Sequence, residues 1–281
     1  MATEKVVIDK AYIEAIAGAI RENTGSSLKL SLSDIARIIP TLKDTSLDFV
    51  RGTLTAYSNA NLTEIRPYCF AGITALTSLD TPLVATIGEA AFAYTGLASV
   101  SLPKVTAIPD RAFLGSKISD ASNLIARATS IGAEAFKDSQ LAGDITCTIS
   151  TEAADAFTNT RITSLTATLA QSLYFYVALQ LVKDCKQLQR IKIKGCGYIT
   201  GANSDLGLTG LQKVWISKEA TKNGIFGAPF QKQTSITALD IYMEDSTKPT
   251  SYGWDKTDIT QLASGNATLH YGVTEEAFDQ L

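Results

Sequence analysis

The chain of 281 residues holds a single histidine, His270. With no cysteine or carboxylate cluster around it, such a histidine reads as structural, and no Ser-His-Asp set can be assembled from it. The four cysteines, Cys69, Cys147, Cys185 and Cys196, form no Cys-x-x-Cys pair and no metal-ligand spacing. They read as small buried thiols of a protein made in a reducing place. No run of about 18 apolar residues could span a bilayer. The N-terminal Met-Ala-Thr-Glu-Lys-Val-Val-Ile-Asp-Lys lacks the apolar stretch of a secretory leader. A net charge of −3 offers nucleic acid no attraction. Gly195–Gly210 is glycine-rich, but no Lys-Ser/Thr follows to complete a phosphate loop. Asp240, Glu244 and Asp245 match no calcium-loop spacing. We therefore expect no cofactor, no metal and no enzymatic activity. Apolar residues at 45% and charged residues at 19% nevertheless suit a well-buried fold and exclude wholesale disorder.

What the chain has is a repeat. The pattern Ile87-Gly-Glu-Ala-Ala-Phe92 returns as Ile65–Phe70, Ile108–Phe113 and Ile131–Phe136, with a worn copy ending at Phe157 and another, Val273–Phe278, at the end. Successive Phe residues from Phe70 to Phe157 are 22, 21, 23 and 21 apart. A fixed period in the twenties marks a solenoid whose unit is too small to bury its own apolar face, so each Phe must be covered by the next coil. Between the turns runs a second signature, apolar-x-x-apolar-x-apolar, as in Leu97–Leu102, Leu188–Ile193, Leu211–Ile216 and Ile236–Ile241. Its last four positions alternate, as a strand with one buried face should. The central residues Leu79, Val100, Ala121, Ile145, Leu165, Ile191, Val214 and Leu239 imply about eight stacked parallel strands. The fold class is an α/β solenoid, mainly β.

Four segments depart from this rhythm. Residues 1–45 carry Ile8, Tyr12, Ile13, Ile16 and Ile20 at helical spacing, then a short helix over 35–39 stopped by Pro40. This small helical segment should attach to something; residues 46–245 form the solenoid and 246–281 a cap. Residues 169–186 read as a helix of about four turns replacing one Phe turn. Phe226 and Phe230 should anchor the swollen loop 221–233 to the convex side.

Ile87–Phe92 followed by Leu97–Pro103 resembles the BspA-type leucine-rich repeat, and the resemblance spans roughly 47–242. It implies a right-handed superhelix of leucine-rich repeats that binds and does not catalyse. Ile241–Glu244 with Lys248-Pro249, Gly253-Trp254 and Tyr271-Gly272 resembles the closing segment seen on such repeat proteins, and Ala11–Gly25 with Ser33–Ile39 resembles the N-terminus of phage and prophage tail-associated structural proteins. That last likeness implies a virion component, made in the host cytoplasm, such as a tail fibre, head fibre or decoration protein. Its partners would be other virion proteins through the N-terminal segment, a host surface glycan or protein, and further copies of itself. A bacterial BspA-like surface adhesin or an interaction scaffold would use the same repeats.

The alternation also names the outward side chains. In early coils they are bland: Ser78, Asp80, Ser99, Ser101, Ser164 and Thr166. Later they become Arg190, Lys192, Lys194, Lys213, Trp215, Ser217, Asp240 and Tyr242. From Lys183 to Lys222 there are eight basic and three acidic residues, a local +5 in a chain of −3. Arg190, Lys192, Lys194, Lys213, Trp215 and Tyr242 form the candidate ligand patch. An exposed Trp215 among cations could stack on a sugar ring or grip an anionic polymer. A neighbouring subunit or loop could equally cover it. Outward carboxylates facing each other across a cleft, which a glycosidase needs, are absent, since Asp80 and Asp240 lie many coils apart.

Overall fold

The five phenylalanines make one column. Ring centroids are 5.6 Å apart for Phe70 and Phe92, 5.2 Å for Phe92 and Phe113, 5.1 Å for Phe113 and Phe136, and 5.8 Å for Phe136 and Phe157, with planes within 18° of parallel. Each ring is buried. The computed structural model describes residues 52–281 except 152, 197, 202–203, 222–224, 227–228, 247–259 and 264. The attachment segment expected over 1–45 lies outside the described residues.

Backbone pairing explains why the column repeats so evenly. The Phe70 N–H donates to Ala91 O at 2.9 Å, Phe92 to Ala112 at 2.8 Å, and Phe113 to Ala135 at 2.7 Å, so turn bonds to turn. To aim these groups along the stack, each turn places residues in the left-handed region: Tyr68, Ala90, Arg111, Glu134 and Asp155, with φ between 50° and 59°. Four residues on, Gly72, Tyr94, Gly115, Asp138 and Asn159 do the same. Gly88 has its own reason for lacking a side chain. A Cβ there would stand 2.2 Å from the Pro67 nitrogen of the preceding coil.

The opposite side of each coil is a strand. Early coils contribute β1 (Ala56–Ser58) and β2 (Ser78–Asp80), paired in parallel, and a single bridge, Ser99 to Asp120. Later strands are longer: β3 (Ala142–Ile149), β4 (Arg161–Leu169), β5 (Arg190–Lys194), β6 (Lys213–Ile216), β7 (Asp240–Met243) and β8 (Thr268–Tyr271). Among the described residues these six form one sheet, ordered β8-β7-β6-β5-β4-β3 and parallel throughout. Ile145, Leu165, Ile191, Val214, Ile241 and Leu269 share one inward register column. The mainly-β solenoid of parallel coils expected from the repeat is the observed architecture.

Four local expectations are corrected. Leu239 is not a strand centre: Val214 pairs with Ile241, two residues later. Ala121 precedes a helix, α1 (Ser122–Arg127), which has no side-chain N-cap; the Asp120 carboxylate accepts the Ser122 N–H at 3.0 Å and turns the chain just before it. The helix expected over 169–186 shrinks to α2 (Phe175–Leu181). Leu169 is held in the ladder opposite Ile149, and Asp184 at φ 58° closes the other end. Finally, Val273–Phe278 is not a repeat turn. It leads into α3 (Glu275–Asp279), and Phe278 lies outside the Phe column. Phe230 does anchor its loop, edge-on to Phe175 at 6.0 Å.

The cysteines follow their environment. Cys147, Cys185 and Cys196 are buried and free, and Cys69 is partly buried and free. Burial pushes the Cys147 and Cys196 thiols up to about 12, so neither is a ready nucleophile.

Candidate functional site

Strand register brings the six residues of the candidate patch onto one face. One outward column runs Thr146, Thr166, Lys192, Trp215, Tyr242, His270. Beside it run Asp144, Ser164, Arg190, Lys213, Asp240 and Thr268, and Lys194 stands opposite Thr168. Parallel strands about 4.8 Å apart turn this list into a continuous surface. The alternation therefore assigned the direction of each side chain correctly. It did not foresee what lies over them.

The exposure expected for Trp215 is not found; the residue is 2% exposed. The cover is the chain's own C-terminal segment. Trp215 Nε1 donates to the Val273 carbonyl at 2.8 Å, and the indole, Tyr242 and Phe278 form a small apolar cluster with Val273 against it. Phe278 meets Tyr242 edge-on, with centroids 5.2 Å apart, and Tyr242 stacks on His270 at 4.5 Å. The Asp240 carboxylate lies 3.1 Å from His270 Nε2.

Every cation of the patch has a partner on that segment. Lys192 Nζ reaches Glu275 at 3.0 Å and Asp279 at 2.8 Å, and Lys194 Nζ reaches Glu275 at 2.7 Å. Lys213 Nζ donates to the Leu281 carbonyl at 2.8 Å. Arg190 donates to the Phe278 carbonyl at 2.6 Å while its guanidinium carbon sits 4.6 Å from the centre of the Phe278 ring. That carbonyl also accepts the Leu281 N–H at 3.1 Å, and the partial negative charge at a helix C-terminus favours the guanidinium beside it. At the other end Thr274 Oγ1 accepts the Ala277 N–H at 3.2 Å, with Glu275 and Glu276 in the first turn. Burial raises the Glu275 carboxyl, but hydrogen bonds from Lys194 and Lys192 outweigh it and hold the group below the usual carboxylate range. Burial opposes the charge on Lys192, yet Asp279 and Glu275 more than compensate and lift its pKa.

Glu275, Phe278 and Asp279 were missed as site residues because the Val273–Phe278 spacing mimics a repeat turn. A usable signal existed: Thr274 followed by two acids is a helix start, and its charge is opposite to the local +5 of residues 183–222.

The strand face of the early coils is different. Ser58, Ser78, Asp80, Ser99, Ser101, Asp120, Asp144, Thr146 and Thr148 are exposed. They offer short hydroxyls and carboxylates on a rigid frame, with Ser58 bonded to Asp80 at 3.3 Å and Thr163 to Asp144 at 3.0 Å. No group of three or more potential metal ligands occurs among the described residues, and no helix among them is long and apolar enough to cross a membrane.

A family model described as "BspA type Leucine rich repeat region" matches this sequence in six copies over residues 63–176 and 106–222. No curated protein and no solved structure matches the chain.

Proposed function

Since the chain belongs to the BspA-type leucine-rich repeat family, we propose that it is a non-enzymatic interaction scaffold whose open strand face contacts a protein or glycan surface. The observation that carries this reading is the division of the face. The early coils present Ser78, Asp80, Ser99, Ser101, Thr146 and Thr148 to solvent on a parallel sheet, while the later coils are covered by α3. Short hydroxyls and carboxylates lose little conformational entropy on contact and suit hydroxylated or amide-rich partners. The finer reading is a phage virion component, a tail fibre, head fibre or decoration protein, synthesised in the host cytoplasm and attached through residues 1–45. The resemblance of Ala11–Gly25 with Ser33–Ile39 to the N-terminus of phage tail-associated proteins supports it. A bacterial surface adhesin uses the same face and differs in where the chain is displayed.

Two experiments test these readings separately. Glycan and surface-protein arrays probed with the chain and with a Ser101→Arg, Thr146→Arg variant should show binding by the first and its loss in the second. Equal binding by both would remove the early face from consideration. Deleting residues 1–45 should abolish incorporation into particles, and a truncated chain that still assembles would refute the anchoring role.

A further inference from the structure

The contacts of the C-terminal segment divide cleanly from those that build the solenoid. Inward residues Ile191, Ile193, Val214, Ile216, Ile241 and Met243 hold coil to coil and are fully buried. Arg190, Lys192, Lys213, Trp215 and Tyr242 point to the other side of the same sheet and meet the segment. Among the described residues the two layers share strands but not side chains, so leaving costs the segment its own contacts and the Val273 N–H bond to Met243 O at 3.1 Å, and no core side chain. Val273 already belongs to the seat, so the segment joins β8 through Gly272 alone, whose N–H donates to Asp245 O at 2.8 Å and which sits at φ 69°, a conformation that disfavours residues with a side chain. Such a connection is a hinge.

Its seat is specific in chemistry. It takes an acidic residue at one position, an aromatic ring three residues on and a second acid four residues on, as Glu275, Phe278 and Asp279 provide. Those spacings lie on one face of a single helical turn. Nothing in the contacts requires that helix and sheet belong to one molecule. We propose that the basic strand face of β5–β7 is a docking site for this acidic, phenylalanine-bearing segment, and that a second copy of the chain supplies it in trans by exchanging C-terminal segments. Gly272 spans about 7 Å from Tyr271 to Val273 when extended, so exchange brings the β8 ends of two copies together. Identical elements swapped about a short hinge form a dimer with no new contact surface to evolve. This is independent of which partner the early coils bind.

The test mixes two single-purpose chains. The donor, Arg190→Glu with Lys192→Glu, keeps its segment but cannot seat it. The acceptor ends at Gly272 and offers an empty seat. Circular dichroism should show that both retain the coil fold. Each alone should run as a single species in native mass spectrometry, and the mixture should give a one-to-one complex. Phe278→Ala in the donor should weaken that complex roughly thirtyfold or more, as loss of a buried anchor does. About 0.5 M salt should weaken it further, since screening shortens to a few ångströms there. In the full chain, Gly272→Val should shift the protein from monomer towards dimer. Two folded partners that form no complex at high micromolar concentration overturn the proposal. If the acceptor does not fold, a protease site placed between Gly272 and Val273 of the full chain serves instead. The nicked protein should exchange its fragment with a labelled peptide of residues 273–281, and a fragment that never exchanges also refutes docking in trans.

Discussion

Trp215 donates its indole N–H to the carbonyl of Val273, 2.8 Å away and 58 residues later in the chain. That bond marks where an outward-pointing strand residue becomes an inside residue. It joins two elements that neither repeat rhythm nor local propensity would bring together. Replacing Trp215 with Phe keeps an aromatic ring but leaves the Val273 carbonyl without its donor. The substitution should cost about 1–2 kcal/mol of segment docking. Hydrogen exchange at Ala277 and Phe278 would report it as faster exchange with core amides unchanged. Unchanged protection at those two amides would mean that the bond contributes nothing.

The phenylalanine column is the solenoid's spine. Phe113, fully buried between neighbours at 5.2 and 5.1 Å, should lose about 3–5 kcal/mol on substitution by Ala. The loss combines lost burial, an unfilled cavity and two broken ring contacts. A thermal melt of the variant should show the drop, and an unchanged melting temperature would argue against the column's role.

Two glycines separate steric from conformational need. Gly88→Ala forces a Cβ to 2.2 Å from a backbone atom of the previous coil, so the coils must part at a cost of about 1–3 kcal/mol or more. Gly72→Ala meets nothing within 4 Å, and its only penalty is φ at 77°, about 1–2 kcal/mol. Chemical denaturation of both variants should rank Gly88→Ala as the more damaging. The reverse order would mean that the coils have room to spare.

Acid should release the segment before it unfolds the solenoid. Glu275 is held below its ordinary value, so its contribution is complete above about pH 4.3 and is lost as pH falls through the folded value. Lys192 is lifted, so its contribution is complete below about pH 10.4 and is lost as pH rises through the folded value. Docking should therefore hold between about pH 5 and pH 10. In a Trp254→Phe background, Trp215 fluorescence should shift red below about pH 4, and Lys194→Met should move that midpoint upward. A midpoint indifferent to Lys194 would remove the Glu275 ion pair as its cause.

Much of the fold is legible because a solenoid's contacts are short-range from coil to coil. Ile87–Phe92 and its copies state which side chain must be covered and by what, since the next coil always arrives after the same interval. The left-handed residues Tyr68, Ala90, Arg111, Glu134 and Asp155 were not legible, because their side chains share no property. Backbone pairing imposes that conformation on whatever residue stands there. Leu239 misled for a related reason: apolar spacing names a buried residue, but hydrogen-bond register decides which one is the strand centre.

For this protein, sequence alone determined the repeat, the aromatic column and the outward direction of Arg190, Lys192, Lys194, Lys213, Trp215 and Tyr242. Periodicity is a local property and carries that much. Only the tertiary structure decided that Glu275, Phe278 and Asp279 lie on those side chains, across separations of 36 to 88 residues. A pattern says which face a residue points from; what covers that face depends on long-range charge and shape, which no interval along the chain encodes.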